Sequence, residues 1–213
     1  MRLYVLTRHA RSTLNDEGRI NGDPSVPVAL TADGRAAAER LGHQLAELPL
    51  DLCVHTRFAR TRETADLILA GRDVPMVEEP LLDDIDVGDL EGKTLAEYHA
   101  WKQEHTRADP FPGGESLDDA ARRYARAFRR LLEGTAEATL VVCHEIPIRY
   151  ALNAAAQAWP AQPLGRHRKR RLSAAAGSDD LDAPERLIPT ATPYLFDATA
   201  LERAAARIES LVR

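Results

Sequence analysis

Two histidines in this chain stand where apolar runs stop. His9 follows Leu3-Tyr4-Val5-Leu6-Thr7-Arg8 and is itself followed by Arg11 and Ser12; His144 follows Thr139-Leu140-Val141-Val142-Cys143. Such runs predict buried strands. Their C-terminal ends are where open α/β sheets build ligand crevices. An imidazole between the guanidinium groups of Arg8 and Arg11 suits a phosphate, because the guanidinium fork matches phosphate oxygens. The positive charge also lowers the histidine pKa and favours the neutral, nucleophilic ring. Taken alone, this stretch is explained equally well as a strand end with solvated charges. A further predicted strand at residues 50–55 leads to Arg60 at a helix start. Asp83, Asp84 and Asp86 follow another, at residues 74–78. One histidine as nucleophile, cations for the equatorial oxygens and one acid for the leaving group are the parts that phosphoryl transfer needs.

The intervening segments predict what positions these groups. Residues 15–28 are polar and turn-rich, a loop with at most a short helix. Thr31 is placed as an N-cap for a helix with Ala37, Leu41, Leu45 and Leu48 at helical spacing. A helix is expected to begin in the stretch from Thr56. Between about residues 84 and 114 periodicity weakens into a helical excursion around Leu95, Tyr98 and Trp101, one wall of a site. Ser116 caps the clearest helix, with Leu117, Ala121, Tyr124, Phe128 and Leu131 as its stripe, Asp118 and Asp119 in its first turn and Gly134 after its end. Its arginines read as a solvated face. A helix is expected to begin at His144-Glu145-Ile146-Pro147, since proline suits a first turn. Residues 156–183, with the basic run Arg166 to Arg171, read as a flexible surface insertion. A last strand at residues 192–196 and a helix through Leu201, Ala205, Ile208 and Leu211 close the chain. Strands alternating with helices predict a single α/β domain over 1–213, a three-layer sandwich with a mostly parallel central sheet and helices on both faces.

Bulk properties narrow the partners. The 213 residues are 44% hydrophobic and 29% charged, with a net charge of −5. That charge argues against nucleic-acid binding over the whole surface but leaves room for a basic pocket. No apolar stretch approaches the roughly 20 residues of a membrane span, and the N-terminus carries no signal-peptide pattern. Cys53 and Cys143 lie inside strand-like runs, as buried reduced thiols of a cytoplasmic protein do.

Five elements, in order, resemble those of the histidine phosphatase superfamily, also called phosphoglycerate mutase-like. Arg8-His9-Ala10-Arg11-Ser12-Thr13-Leu14-Asn15 is similar to its Arg-His-Gly-x-Ser/Thr-x-x-Asn signature. Thr56 to Ala65 resembles its Ser-x-x-x-Arg-x-x-x-Thr-Ala element, which makes Arg60 rather than Arg57 the second pocket arginine. Leu82 to Gly92 resembles the proton-donor segment, Pro112-Gly113-Gly114-Glu115-Ser116 its Pro-Gly-Gly-Glu-Ser, and Val141 to Arg149 its Val-Ser-His-Gly-Gly-x-x-Arg. The resemblance implies a phosphohistidine at His9, a clamp of Arg8, Arg60 and His144, help from Asn15, Asn21 and the backbone N–H of Glu145, and Asp84 as the acid. It implies no metal and no other cofactor. The activity implied is a phosphoric monoester hydrolase, a histidine phosphatase acting on a small phosphorylated substrate, as a monomer or homodimer. A phosphoglycerate mutase-type phosphotransferase and a catalytically inactive phosphate-binding module are the alternatives.

The chain departs from the pattern at four places. Ala10 stands for the signature glycine, Asp84 for the usual glutamate, and Glu145 for a glycine, which puts a negative side chain beside the site. The segment at about 156–176 is extra relative to smaller relatives. Two rival motifs carry less. Cys143 to Arg149 has the Cys-x5-Arg spacing of cysteine phosphatases, but Glu-Ile-Pro-Ile is too stiff to wrap a phosphate. His144-Glu145 lacks the second histidine of a zinc His-Glu-x-x-His motif, since position 148 is Ile. His43, His55, His99, His105 and His167 read as surface or rim residues.

Overall fold

The computed structural model describes residues 2–155, Leu181 and residues 188–212. Five strands form one sheet: β1 Leu3–Arg8, β2 Leu52–His55, β3 Met76–Glu78, β4 Ala138–Cys143 and β5 Pro193–Asp197. The helices are α1 Thr13–Glu17, α2 Ala32–Gln44, α3 Ala59–Ile68, α4 Leu95–Glu104, α5 Leu117–Glu133, α6 Glu145–Ala155 and α7 Ala198–Leu211. The strand order is β3-β2-β4-β1-β5. The first four run parallel and β5 runs antiparallel to β1.

The period-two alternation of a strand divides the core between two faces. On β1, Tyr4 and Leu6 pack with α5, α6 and α7, while Val5 packs with α2 and α3. On β4, Val141 and Cys143 join the first face and Leu140 and Val142 the second. This is the expected three-layer sandwich. The two central strands are buried on both sides, which is why their sequences are unbroken apolar runs.

Several boundaries differ from those expected. The polar stretch after β1 contains a short helix, α1, held by a reciprocal cap between Ser12 and Asn15. The helix anticipated from Thr56 begins at Ala59; residues 56–58 are its lead, and Phe58 caps it without a side-chain bond. β3 is shortened to three residues. The caps at Thr31 and Ser116 are as expected. The excursion holds α4, which buries no residue. The anticipated insertion at 156–183 lies outside the described residues apart from Leu181, which is buried and accepts a hydrogen bond from Asn153 Nδ2.

Candidate active site

Parallel pairing of β1 with β4 sets Arg8 opposite Cys143. The next residue on each chain is a histidine, so the ladder itself brings His9 and His144 together, with ring centroids 5.5 Å apart. His9 is 2% exposed and His144 is fully buried. The His9 backbone N–H continues the ladder to Cys143 O at 2.9 Å. Its ring Nδ1 lies 2.8 Å from Ala10 O. A carbonyl only accepts, so Nδ1 carries the hydrogen and Nε2 keeps its lone pair. Burial, then the charges of Arg60, His144 and Arg8, hold His9 well below the ordinary imidazole value. The ring is therefore neutral at neutral pH, with the Nε2 lone pair available. Ala10, in place of glycine, is fully buried, and its N–H donates to Thr64 Oγ1 at 2.9 Å.

The tautomer of His144 follows from a hydroxyl relay. Thr61 Oγ1 donates to Phe58 O at 2.8 Å, so it accepts from Thr56 Oγ1, also at 2.8 Å. Thr56 has then used its one hydrogen and accepts from His144 Nε2 at 2.9 Å. The free Nδ1 points to the cleft, 3.3 Å from both Arg60 Nη2 and Asp84 Oδ2. Burial lowers the His144 pKa, against an opposing pull from Asp84.

Arg60 rises from the first turn of α3 and is 4% exposed. Its head lies over the Phe58 ring, 4.2 Å from the centroid. It donates to Asn21 Oδ1, to Asn21 O at 3.1 Å and to Asp84 Oδ2 at 3.2 Å. Burial alone would raise the Asp84 pKa, but His144, whenever its Nδ1 is protonated, and the standing charge of Arg60 outweigh it and hold the carboxyl well below its usual range. Asp84 is thus an anion poised beside a cationic pocket. The three aspartates separate cleanly. Asp83 turns away to Arg57, accepting from its backbone N at 3.0 Å and its side chain at 2.5 Å. Asp86 accepts from Gly88 N at 3.0 Å.

The remaining predicted residues line the same cleft, a cavity of about 370 Å³. Asn15 Oδ1 accepts from Ser12 N and Ser12 Oγ, both at 3.0 Å, which leaves its amide nitrogen as the donor to a ligand. Both amide hydrogens of Asn21 are taken, by Asp23 O at 3.0 Å and Glu91 Oε1 at 2.7 Å. In this arrangement Asn21 orients Arg60. Arg8 is paired with Glu145 at 2.6 Å and donates to Ile188 O at 3.0 Å. Gly22 packs so closely under this wall that a Cβ would collide with the Ile85 carbonyl. Leu14, Ile20, Val28, Ile85, Val87, Leu95, Tyr98 and Ile146 make much of the outer cleft apolar.

Two sequence readings are corrected. Arg123 of α5 is not part of a solvated face. Its side chain is 15% exposed, it pairs with Glu115 at 2.5 Å, and it donates to Leu81 O, Asp83 O and Asp84 O at 3.0, 2.9 and 3.2 Å. It is the clamp of the Asp84 loop. His55 is buried rather than superficial, with Nδ1 on Thr56 O at 2.8 Å. The Cys-x5-Arg rival also fails: Cys143 is fully buried and burial pushes its thiol far above the ordinary value, so no thiolate is available. Among the described residues no three His, Cys, Asp or Glu side chains are grouped as a metal would require. None of their helices is long and apolar enough to cross a membrane.

The sequence profile of the histidine phosphatase superfamily, branch 1, matches residues 4–175. The chain belongs to that superfamily. Among its relatives is a Gloeobacter violaceus 2,3-bisphosphoglycerate-dependent phosphoglycerate mutase 2, 35% identical over 71% of this chain and 74% of that protein. Another is the adenosylcobalamin/alpha-ribazole phosphatase of Salmonella typhimurium, 33% identical over 62% and 67%. Among solved structures, a putative alpha-ribazole-5'-P phosphatase from Escherichia coli superposes with a TM-score of 0.66 at 26% identity, covering 75% of this chain and 81% of that one. A protein from an open reading frame of Mycobacterium tuberculosis superposes with a TM-score of 0.67 at 26% identity and covers 92% of both chains. The superfamily thus brings both phosphatases and mutases into the neighbourhood of this chain.

Proposed function

We infer that this histidine phosphatase superfamily member hydrolyses phosphomonoesters through a phosphohistidine on His9. One observation carries the reading: Nδ1 of His9 is tied to Ala10 O, which leaves Nε2 as a lone-pair nucleophile beside Arg8, Arg60 and His144. In the first step Nε2 attacks phosphorus, the ester P–O bond breaks, and Asp84 gives its proton to the departing oxygen. In the second, water attacks the phosphohistidine, Asp84 takes the water proton, and the N–P bond breaks to release inorganic phosphate. Asp84 is ionised beside Arg60 before substrate arrives. The phosphate dianion then neutralises the arginine and lifts the carboxyl, which takes up a proton from solvent as substrate binds and returns one to solvent as phosphate leaves. Arg60 and Arg8 supply the charge that a metal supplies elsewhere, so full turnover should survive a chelator. A loss restored only by Mg²⁺ or Zn²⁺ would refute that part of the mechanism.

Mutase chemistry is the second reading, favoured by the Gloeobacter relative. Two features of this chain favour hydrolysis. Glu145 places a carboxylate against Arg8, which opposes a ligand carrying a second phosphate. The apolar outer cleft suits a leaving group less polar than a glycerate. Both enzymes would pass through the same phosphoenzyme, so the deciding experiment compares products. Purified protein is given a panel of phosphomonoesters, and 3-phosphoglycerate with catalytic 2,3-bisphosphoglycerate. Phosphate release from the panel is the expected result. Interconversion of phosphoglycerates without phosphate release assigns the mutase instead, and neither product, with phosphate still bound, leaves a binding module. The single domain over 1–213, a monomer or homodimer, and a cytoplasmic location complete the proposal.

A further inference from the structure

Each of the two pocket arginines carries a carboxylate of its own. Arg60 holds Asp84, whose presence the proton transfer explains. Arg8 holds Glu145, and nothing in the reaction needs that side chain. Glu145 is the first residue of α6, where the family signature has a glycine. Its two oxygens are divided: Oε2 accepts from Arg8 Nη1 at 2.6 Å, and Oε1 accepts from Arg149 one turn further along the helix. Arg8, Glu145 and Arg149 all line the cleft that also holds His9. The acceptors do not suffice for the donors. Arg8 Nε and Arg149 Nε are both buried without a partner, a costly state for an N–H. Two under-satisfied guanidinium groups bridged by one carboxylate form a site short of anionic oxygens.

We propose that Glu145 is an internal competitor for Arg8: a phosphoryl group entering the pocket takes Arg8 from Glu145, which stays on Arg149, and Glu145 reclaims Arg8 as inorganic phosphate leaves. This rests on the reading of the pocket as a phosphate site. Glu145 is then a specificity-determining residue that sets how weakly the pocket holds phosphate oxyanions. The physical reason is direct. Every phosphate must break a charge-assisted bond before it makes its own, so part of its binding free energy is offset. A pocket with Arg8, Arg60 and two neighbouring histidines would otherwise hold its product tightly, and slow release would limit turnover. Arg149 is the second half of the device, because it gives the displaced carboxylate a partner and spares it a position unpaired against the incoming dianion.

The test titrates inorganic phosphate into the full chain by calorimetry and measures phosphate inhibition of p-nitrophenyl phosphate hydrolysis. Glu145→Gln should tighten phosphate binding by about tenfold, the effect of removing one competing charge-assisted bond. KM should fall with the phosphate inhibition constant, and kcat should not rise. Glu145→Gly, which restores the family residue, should act in the same direction, so one poorly folded variant does not decide the matter. The gain must pass through Arg8. In an Arg8→Met background the Glu145→Gln gain should collapse to less than about twofold, as coupled neighbours require. If Glu145 instead holds Arg8 in place for the substrate, both Glu145 variants will bind phosphate more weakly, and the proposal is overturned. A gain that persists undiminished without Arg8 overturns it too, because the carboxylate then acts only through space. A chain that binds no phosphate in any of these variants removes the phosphate pocket itself and this inference with it.

Discussion

The two halves of the candidate site are held in different ways. The histidine half is fixed by backbone. His9 and His144 extend adjacent parallel strands, the ladder continues through His9 N to Cys143 O, and both rings are buried. The acid half is fixed by side chains. Asp84 sits on a loop after β3 whose carbonyls are held by Arg123 and whose neighbour Asp83 is tied to Arg57. A ladder tolerates no change of register without turning every side chain to the other face. A loop held by arginines can be loosened one bond at a time. The proposed nucleophile should therefore respond to mutation in an all-or-none way, and the proposed acid in degrees.

The comparison breaks most sharply at His9. His9→Ala should lower turnover on the order of 10⁵-fold and abolish an acid-labile, alkali-stable phosphoenzyme, with the fold retained by circular dichroism. Phosphate trapped elsewhere would remove the nucleophile from the strand half altogether. Asp84→Asn comes next. General acid help is worth about 10²–10⁴-fold, and it should be lost for alkyl phosphates such as glycerol phosphate. Single-turnover phosphorylation by p-nitrophenyl phosphate, whose leaving group needs no proton, should suffer far less. Equal losses on both substrates, or the same pattern in Asp83→Asn, would move the acid.

Arg123→Met probes the graded character of the acid half. Three carbonyls lose their donor, which should destabilise the fold by roughly 1–3 kcal/mol in urea denaturation. Alkyl phosphates should slow by about tenfold and p-nitrophenyl phosphate by less. A uniform loss on both would make Arg123 a structural residue only. On the strand half the smallest effect is one of pH. His9 must be neutral to attack, and burial with Arg60, His144 and Arg8 lowers its pKa. Protonation, and with it the acid limb of kcat/KM, should therefore fall below pH 6.5, the ordinary imidazole value. Arg8→Gln should move that limb upward, toward the ordinary value; an unmoved limb would assign it to another group.

The same division explains how much of the molecule is legible in its sequence. The strand half is written in hydrophobic runs; one run ending in Arg-His is ambiguous alone, and the second, ending in Cys-His, is what points to a shared site. Tyr4, Val5 and Leu6 on β1, and Val141 and Val142 on β4, read directly as sheet core because these strands are buried on both faces. Asp84 separates from Asp83 and Asp86 in the sequence only through resemblance, since three nearby carboxylates carry no periodic signal. Arg123 escapes a sequence reading because a charge beside a helical stripe is ordinarily solvated; here it reaches past the helix to carbonyls about forty residues away in sequence. The Thr56–Thr61–His144 relay is hidden for a related reason. Hydroxyls reveal a direction of hydrogen bonding only when their partners are placed, and β2, α3 and β4 meet only in the fold.

α4 has one further consequence. It forms an outer wall of the cleft through Leu95, Tyr98, His99 and Lys102, yet it buries no residue of its own. It rests on the body through Tyr98 and Trp101 against Phe111, at ring separations of 5.6 and 4.2 Å, and is started by a reciprocal cap between Thr94 and Glu97. Leu95, at 47% exposure, contributes little to the core. Leu95→Ala should leave unfolding within about 0.5 kcal/mol of the parent while raising KM for phosphomonoesters with bulky apolar alcohols more than for small ones. Mutational freedom and the lining of the cleft thus coincide on one helix. A lineage can rewrite this wall without disturbing the strand ends that carry His9 and His144, and the same helix is where a library aimed at new substrates would meet the least resistance from folding.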